Sequence, residues 1–358
     1  MALIDLLNWV GRRKYLRPVG VLLLWIATKL RFSTLIRVSG RRIVSASAGA
    51  PAVLLTDKSM RDALSNPKLL FEAMKFTIAK MDLDVFCLIA DMSLEAEACG
   101  CQIQFHDKNL PTVISHPVKT SDDVMKLKVP DPYRNGRMPV FLETMKLAKD
   151  SYTILKIAVI IGPFTLASHL SGKEIYLDIR KNPEKVQLLL NYCQKVIVAY
   201  GQALIEAGAD MIIIAEPIGS QLSPAAFKEF SQPYTKKIIN MLTKPCALHI
   251  CGKTNHIIED MCETGAVALS IDDVDISSII ERVPTEIVLI GNISTLSYLR
   301  SSPEEIKRET GKLLDLVKGR KEFLVAPGCD LAPETPFENI FSFVQTVKKY
   351  KPKNLLPK

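Results

Sequence analysis

Short apolar runs alternate with longer amphipathic stretches from residue 43 onward. Most of the apolar runs are rich in Val, Ile and Leu and lack polar alternation, which is typical of parallel strands covered on both faces. The eight runs are residues 43–48, 84–90, 153–161, 211–215, 245–250, 268–271, 287–290 and 323–326. Eight alternating strand and helix units predict a TIM (β/α)8 barrel, with a doubly wound sheet as the alternative.

Local signals mark the ends of two of the predicted helices. Residues 182–207 form an amphipathic stretch in which Pro183 occupies a first-turn position and Gly208 ends the pattern. Ser302 precedes a proline and two glutamates, so it is a suitable N-cap for the next helix. Residues 99–133 fit neither repeat, and we expect them to form an excursion between the second and third strands. No linker divides residues 43–350, which we expect to form one domain followed by a tail at 351–358.

Histidine and cysteine residues stand at the ends of two predicted strands. His249 and Cys251 occupy alternate positions at the end of the fifth strand, so their side chains project to the same side. Cys329 follows the eighth strand, and in a TIM barrel the carboxyl ends of the strands meet at one mouth. One imidazole and two thiolates suit Zn²⁺, and three protein ligands leave the fourth position open, as in catalytic zinc sites. The alternative is a buried histidine beside two inert buried cysteines.

Other polar residues also follow predicted strands and converge on the same mouth. They are Asp91, Glu216, Asp272, Asp273 and Asn292. We predict that Glu216 or Asp272 acts in catalysis by holding the fourth metal position until a thiol arrives. The alternative is that these acids orient loops or accept a hydrogen bond from the metal-binding imidazole. Asn292 and Asp91 are predicted to contribute to cofactor binding.

The motifs around these residues resemble those of the uroporphyrinogen decarboxylase superfamily, in particular its zinc-dependent methylcobamide:coenzyme M methyltransferase branch. They are His-Ile-Cys-Gly at 249–252, Gly-Asn-Ile-Ser at 291–294, Ala-Pro-Gly-Cys at 326–329 and Gly-Pro-Phe-Thr-Leu-Ala at 162–167. The resemblance covers about residues 43–350. It implies a TIM barrel, a zinc ion held by His249, Cys251 and Cys329, and a methylated corrinoid as methyl donor, supplied as methylcobalamin or on a corrinoid carrier protein.

The resemblance therefore implies a methyltransferase of one-carbon metabolism that passes a methyl group from a methylcobamide to a small thiol. Coenzyme M is the acceptor in the family, while another thiol, a pterin such as tetrahydrofolate, or the reverse direction fits the motifs equally well. A second hypothesis is a decarboxylase acting on a tetrapyrrole carboxylate, but residues 45–50 do not reproduce its Arg-rich motif. A third is a non-catalytic corrinoid-binding module, which would need four closed zinc ligands.

The positive charge of the chain is concentrated in its first 42 residues. This segment holds nine basic residues against one acid, Asp5, which equals the net charge of +8 for the whole chain, and it also holds both tryptophans, Trp9 and Trp25. Such a composition favours either peripheral contact with a membrane or an anionic partner, or a pair of helices that close the barrel base with solvated arginines. We favour the second, because a terminal helix needs an apolar stripe merely to dock.

The composition of the chain limits where in the cell we expect the protein and which partners we expect it to bind. The apolar run 19–27 is shorter than the roughly 20 residues needed to span a bilayer. The eight cysteines form no regular framework and no signal peptide is convincing, so we expect a cytoplasmic protein. No nucleic-acid partner is expected.

Overall fold

A computed structural model describes residues 3–13, 16, 19, 32–152 and 154–351 of the chain. Seven parallel strands form one sheet in the order β1-β4-β5-β6-β7-β8-β9, and a separate antiparallel pair joins β2 to β3. The strands are β1 Phe86–Cys87, β2 Ile103–Gln104, β3 Thr112–Val113, β4 Lys156–Ile161, β5 Met211–Ala215, β6 Cys246–Ile250, β7 Ala268–Ile271, β8 Val288–Ile293 and β9 Phe323–Pro327.

Helices follow the strands and cover the outside of the sheet. In the described residues they are α1 Leu3–Gly11, α2 Phe32–Val38, α3 Gly49–Leu55, α4 Met60–Ser65, α5 Pro67–Ala79, α6 Leu94–Ala98, α7 Ser121–Lys126, α8 Met138–Ser151, α9 Pro163–Ser171, α10 Ile175–Lys181, α11 Pro183–Ala207, α12 Pro224–Phe230, α13 Gln232–Met241, α14 Ile258–Cys262, α15 Ile276–Ile279, α16 Thr295–Arg300, α17 Pro303–Leu316 and α18 Phe337–Lys349, with 3₁₀ turns at Gly172–Glu174 and Pro217–Gln221. The predicted end of α11 and the predicted start of α17 are both confirmed. Gly208 ends α11 at a φ of 125°, and the Ser302 side chain accepts from the Glu305 N–H at the start of α17.

The first predicted strand closes the sheet into a barrel. Val44 forms a parallel bridge to Val325 of β9, and the Asp84 N–H, just before β1, donates to the Val44 carbonyl at 3.2 Å. The predicted TIM barrel is therefore confirmed, although its first strand is reduced to this bridge instead of spanning residues 43–48. The β2–β3 pair and α7 form the predicted excursion between the second and third barrel strands.

Helices α1 and α2 pack against the amino-terminal end of the barrel. Ile4 and Ile36 are buried in one apolar cluster with the barrel-strand residues Val85, Val288 and Leu324. These contacts confirm that the described part of the N-terminal segment closes the base of the barrel. The face that carries the carboxyl ends of the strands is thus left as the open mouth.

The described arginines of this segment have partners within the protein. Arg41 is buried, which corrects the expectation that it is solvated, whereas the Arg37 side chain is 54% exposed. Arg41 is 9% exposed and binds Asp84, which is fully buried, through Nη1 at 2.7 Å and Nη2 at 2.9 Å. Arg12 pairs with Asp82, and Arg37 pairs with Glu322 near the start of β9. A buried guanidinium needs such partners because its charge would otherwise remain unpaired away from water.

Part of the N-terminal prediction lies outside the described residues. This holds for Trp25, for most of the apolar run 19–27, and for Lys14, Arg17, Lys29 and Arg31. None of the helices in the described ranges has both the length and the apolar character required to cross a bilayer.

Candidate metal centre

The three side chains predicted to bind metal meet at the mouth of the barrel. His249 Nε2 lies 3.1 Å from Cys251 Sγ and 3.4 Å from Cys329 Sγ, and the two sulfur atoms are 3.1 Å apart. Within the described ranges this is the one cluster of three or more His, Cys, Asp or Glu side chains with metal-site spacing. The three side chains meet because β6 and β9 are parallel strands of one barrel, so their carboxyl ends lie at the same mouth.

The donor set fits a zinc ion. Zinc bonds of about 2.0–2.3 Å place tetrahedral donors roughly 3.5–3.8 Å apart, so these three atoms need to move outward by only a few tenths of an ångström. Both cysteines are free thiols. The Cys251 thiol and burial raise the pKa of the Cys329 thiol, and a coordinated cation reverses such a shift by stabilising the thiolate.

A hydroxyl on the neighbouring strand orients the imidazole. His249 Nδ1 lies 3.0 Å from Ser270 Oγ of β7. When Nδ1 carries the proton and donates it to this hydroxyl, the lone pair on Nε2 faces the two sulfur atoms. Sequence reasoning missed Ser270. The available signal was a single hydroxyl residue inside the otherwise apolar run 268–271.

Asp272 joins the loops that carry the two cysteines. Its Oδ2 accepts from the Gly252 N–H at 2.8 Å, and its Oδ1 lies 2.5 Å from where a side chain at Gly328 would place Cβ. Glycine is therefore required next to Cys329 for this close approach. Asn292 Nδ2 donates to the carbonyls of Asp272 and Val274, so it braces the same turn. Asp272 Oδ2 and Asn292 Nδ2 thus bond to the backbone and support the turns beside the ligands, while the predicted catalytic role of Asp272 and cofactor contact of Asn292 stay predictions.

Glu216 faces away from the three ligands and caps α9. Its carboxylate accepts from the N–H groups of Phe164 at 2.8 Å and Thr165 at 2.6 Å, from the Thr165 hydroxyl, and from Ser231 Oγ at 3.4 Å. A side chain at Gly162 would place Cβ 2.6 Å from this carboxylate, so glycine permits the close approach. The carboxyl lies where helix N–H groups lack partners, which is a favourable place for a hydrogen-bond acceptor.

Asp91 is also engaged within the protein. It accepts from Arg137 Nη1 at 2.5 Å and from the Ser93 N–H at 2.9 Å. Arg137 in turn binds Glu97 through Nε at 2.7 Å, so one guanidinium serves two carboxylates. Ala90 and Met92, on either side of Asp91 in sequence, line the cavity inside the barrel, whereas Asp91 does not. This ion pair fixes the loop after β1, and the predicted cofactor contact of Asp91 stays a prediction.

Burial raises the pKa of the Glu216 carboxyl to about 7, against an ordinary value near 4.5. Between these two values the folded protein holds a proton that the unfolded chain has lost. We therefore expect the free energy of unfolding to decrease as pH rises from about 4.5 to 7, by an amount on the order of 3 kcal/mol. Denaturant unfolding of wild type and Glu216→Gln across this range measures it.

The difference between the two curves isolates this carboxyl. Burial also raises the pKa of Glu95 to about 7, but that residue is present in both proteins and its effect cancels. A difference that stays flat across the window, or that favours the wild type more strongly at higher pH, would contradict the assignment.

Comparison with known proteins identifies the fold family. The family model described as uroporphyrinogen decarboxylase (URO-D) matches residues 44–350. The chain belongs to the uroporphyrinogen decarboxylase family. It is 34% identical over 271 residues to methylcobamide:CoM methyltransferase MtbA of Methanosarcina acetivorans, covering 73% of this chain and 78% of that one.

Two further relatives point to the same branch of the family. Methylcobamide:CoM methyltransferase MtaA of Methanosarcina barkeri is 31% identical, with 81% of this chain and 86% of that protein covered. A solved methyltransferase from Methanosarcina mazei superposes with a TM-score of 0.80 at 28% identity, covering 86% of this chain and 94% of that one. Relatives named as methyltransferases thus resemble this chain in both sequence and fold.

Proposed function

We propose that this protein is a zinc-dependent methyltransferase that moves a methyl group from a methylated corrinoid to a thiol. The observation that carries the proposal is the convergence of His249 Nε2, Cys251 Sγ and Cys329 Sγ at the barrel mouth. The names of the relatives support the same reaction, since they act on a methylcobamide and coenzyme M.

The side chains determine the reactivity of the site. A zinc ion bound there would lower the pKa of an incoming thiol and hold it as a thiolate. Two cysteine thiolates offset the charge of a divalent cation, so the substrate sulfur keeps its electron density. Ser270 keeps the imidazole turned toward the site, and Asp272 holds the two cysteine loops at their spacing.

The methyl transfer needs no oxidant, reductant or other reactant besides the thiol and the methylated corrinoid. The thiol loses its proton to solvent, and its sulfur forms a bond to the methyl carbon of the corrinoid. The cobalt–carbon bond breaks and its electron pair stays on cobalt, which changes from Co(III) to Co(I). The open mouth leaves room for a corrinoid on a carrier protein, which we propose as the partner.

The proposal also covers the class of methyl acceptor, the cellular location of the protein and the bounds of its domains. A thiol is favoured over a pterin because one imidazole and two thiolates beside an open metal position provide a means to activate a thiol. We propose a cytoplasmic protein whose barrel domain is residues 43–350, with an N-terminal extension at 1–42 and a tail at 351–358. The membrane contact suggested for residues 1–42 stays a prediction, and the described arginines there have protein partners instead.

The decarboxylase alternative is not favoured by the cavity. A tetrapyrrole with several carboxylates needs cationic partners, because carboxylates are costly to remove from water without them. The described residues that line the central cavity include no lysine and no arginine.

Purified protein, methylcobalamin and a small thiol test the proposal. We expect a methyl thioether by mass spectrometry and the spectrum of reduced cobalamin, both dependent on zinc. Cys251→Ala should abolish the products while the melting temperature changes little, because catalytic zinc need not supply folding energy. Turnover of Cys251→Ala at the wild-type rate, or methylation of tetrahydrofolate in place of any thiol, would overturn the proposal.

A further inference from the structure

A cavity of about 210 Å³ runs through the barrel below the three metal ligands. At its upper end it is lined by His249, Cys251 and Cys329, and Phe32 of α2 and Leu324 of β9 line its lower end. TIM barrels usually fill this space with layers of side chains. The space left open here therefore connects directly with the metal centre.

The walls of this cavity are almost entirely apolar. The residues between its ends include Val159, Ile213 and Ile290 from three different strands. Its polar groups other than the ligands are the hydroxyls of Ser45, Ser47 and Ser270, the Cys87 thiol and the Asp330 carboxyl. Such a surface gains free energy by enclosing methylene groups, since these leave water at little cost to the wall.

The cavity offers no cationic side chain to an anion among the described residues. No lysine or arginine lines it, and its one acidic side chain is that of Asp330. Arg137, near the end of β1, is already shared between Asp91 and Glu97. Lys253 lies two residues after Cys251 in sequence, but it is exposed and does not line the cavity. An anionic substituent would therefore enter without compensation for its lost hydration.

Resting on the function proposed above, we infer that the thiol substrate carries an uncharged aliphatic chain that lies in this barrel cavity. With the chain directed toward the barrel base, the sulfur sits among the three ligands and the mouth stays free for the corrinoid. A single water molecule needs about 10–15 Å³ of such space, so a cavity of about 210 Å³ has room for a chain of several carbon atoms. The inference distinguishes this substrate from coenzyme M (2-mercaptoethanesulfonate), the short anionic thiol in the names of the relatives, while keeping the same transfer to a thiol.

Straight-chain thiols from ethanethiol to octanethiol, assayed with methylcobalamin beside 2-mercaptoethanesulfonate, test the inference. We expect kcat/KM to rise with each added carbon until the chain fills the cavity, by at most about fourfold per methylene, and then to stop rising. If 2-mercaptoethanesulfonate is the best substrate and chain length has no effect, the inference is wrong while the proposed function stands. If no thiol is methylated, both are wrong.

Direct binding gives a readout that does not depend on turnover. Titration calorimetry with 1-hexanol, which lacks the thiol, should show binding with and without zinc. Ile213→Phe adds a ring to the cavity wall and should weaken hexanol binding and lower the kcat/KM ratio of hexanethiol to ethanethiol by at least tenfold. The matched Ile213→Val enlarges the cavity and should keep the preference for the longer chain. Ile290→Phe repeats the test from another strand if the first variant does not fold.

Equal hexanol binding by wild-type protein and by a folded Phe variant would overturn the inference. So would calorimetry that detects no hexanol binding to the wild-type protein.

Discussion

Cys329→Ser is expected to remove the zinc ion and with it the methyl transfer. Serine offers a neutral hydroxyl in place of a soft thiolate, and its oxygen is a poor ligand for zinc beside nitrogen and sulfur. Changes behind the ligands typically weaken metal binding about 10- to 100-fold, so the loss of a direct ligand should exceed about 100-fold. Metal analysis should find one zinc per wild-type chain and almost none in the variant.

The control is a second cysteine-to-serine change away from the site. Cys262 on α14 is partly exposed and is not one of the three ligands. Cys262→Ser should keep zinc and turnover, and both variants should melt within a few degrees of the wild type. Full zinc occupancy in Cys329→Ser would show that the metal, where present, is held by other groups.

Asp84→Ala is expected to cause the largest loss of stability. The Asp84 carboxylate is fully buried and accepts from Asn8, from both terminal nitrogens of Arg41 and from the Val44 N–H at 2.9 Å. Removing one partner of a buried ion pair typically costs about 3–5 kcal/mol. The Arg41 guanidinium would keep Asp5 at 2.7 Å, but that side chain is 41% exposed and replaces only part of the lost pairing. Here the change also removes an acceptor at the bridge strand that closes the barrel.

Asp82→Asn is the matched comparison, because Asp82 has a φ of 60°, a backbone conformation that asparagine tolerates better than alanine. Asp82 lies two residues away and pairs with Arg12 and Lys348, but its side chain is 38% exposed. Exposed pairs contribute about 0–1 kcal/mol, so this variant should be close to wild type in denaturant unfolding. Equal losses in the two variants would mean that the Arg41–Asp84 pair is not what holds the base together.

The barrel and the position of the three ligands could be predicted because both follow from local patterns. Each apolar run coincides with a strand or, at Val44, with a bridge, and parallel strands bring their carboxyl ends together whatever the loops do. The ligand pair on β6 also follows from side-chain alternation within one strand.

The supporting residues could not be predicted in the same way, because their partners are distant in sequence. Glu216 follows a strand just as Asp272 does, yet one carboxylate caps α9 and the other binds the loop after β6. The strand ends also gave no sign that Asp91 would pair with Arg137, 46 residues later. Which donor reaches a strand-end acid depends on the packing of neighbouring helices, and a one-dimensional pattern does not contain it.

The spacing of the ligands along the chain has a consequence for how the protein acquires metal. His249 and Cys251 leave the ribosome together, but Cys329 follows 78 residues after Cys251 and reaches them only when β9 pairs with β8. That strand also bonds to Val44 at the other end of the barrel sequence. A growing or truncated chain therefore offers only two of the three donors. Zinc uptake at this site should mark the completed barrel, so the zinc that a preparation binds when the metal is in excess measures its correctly folded fraction.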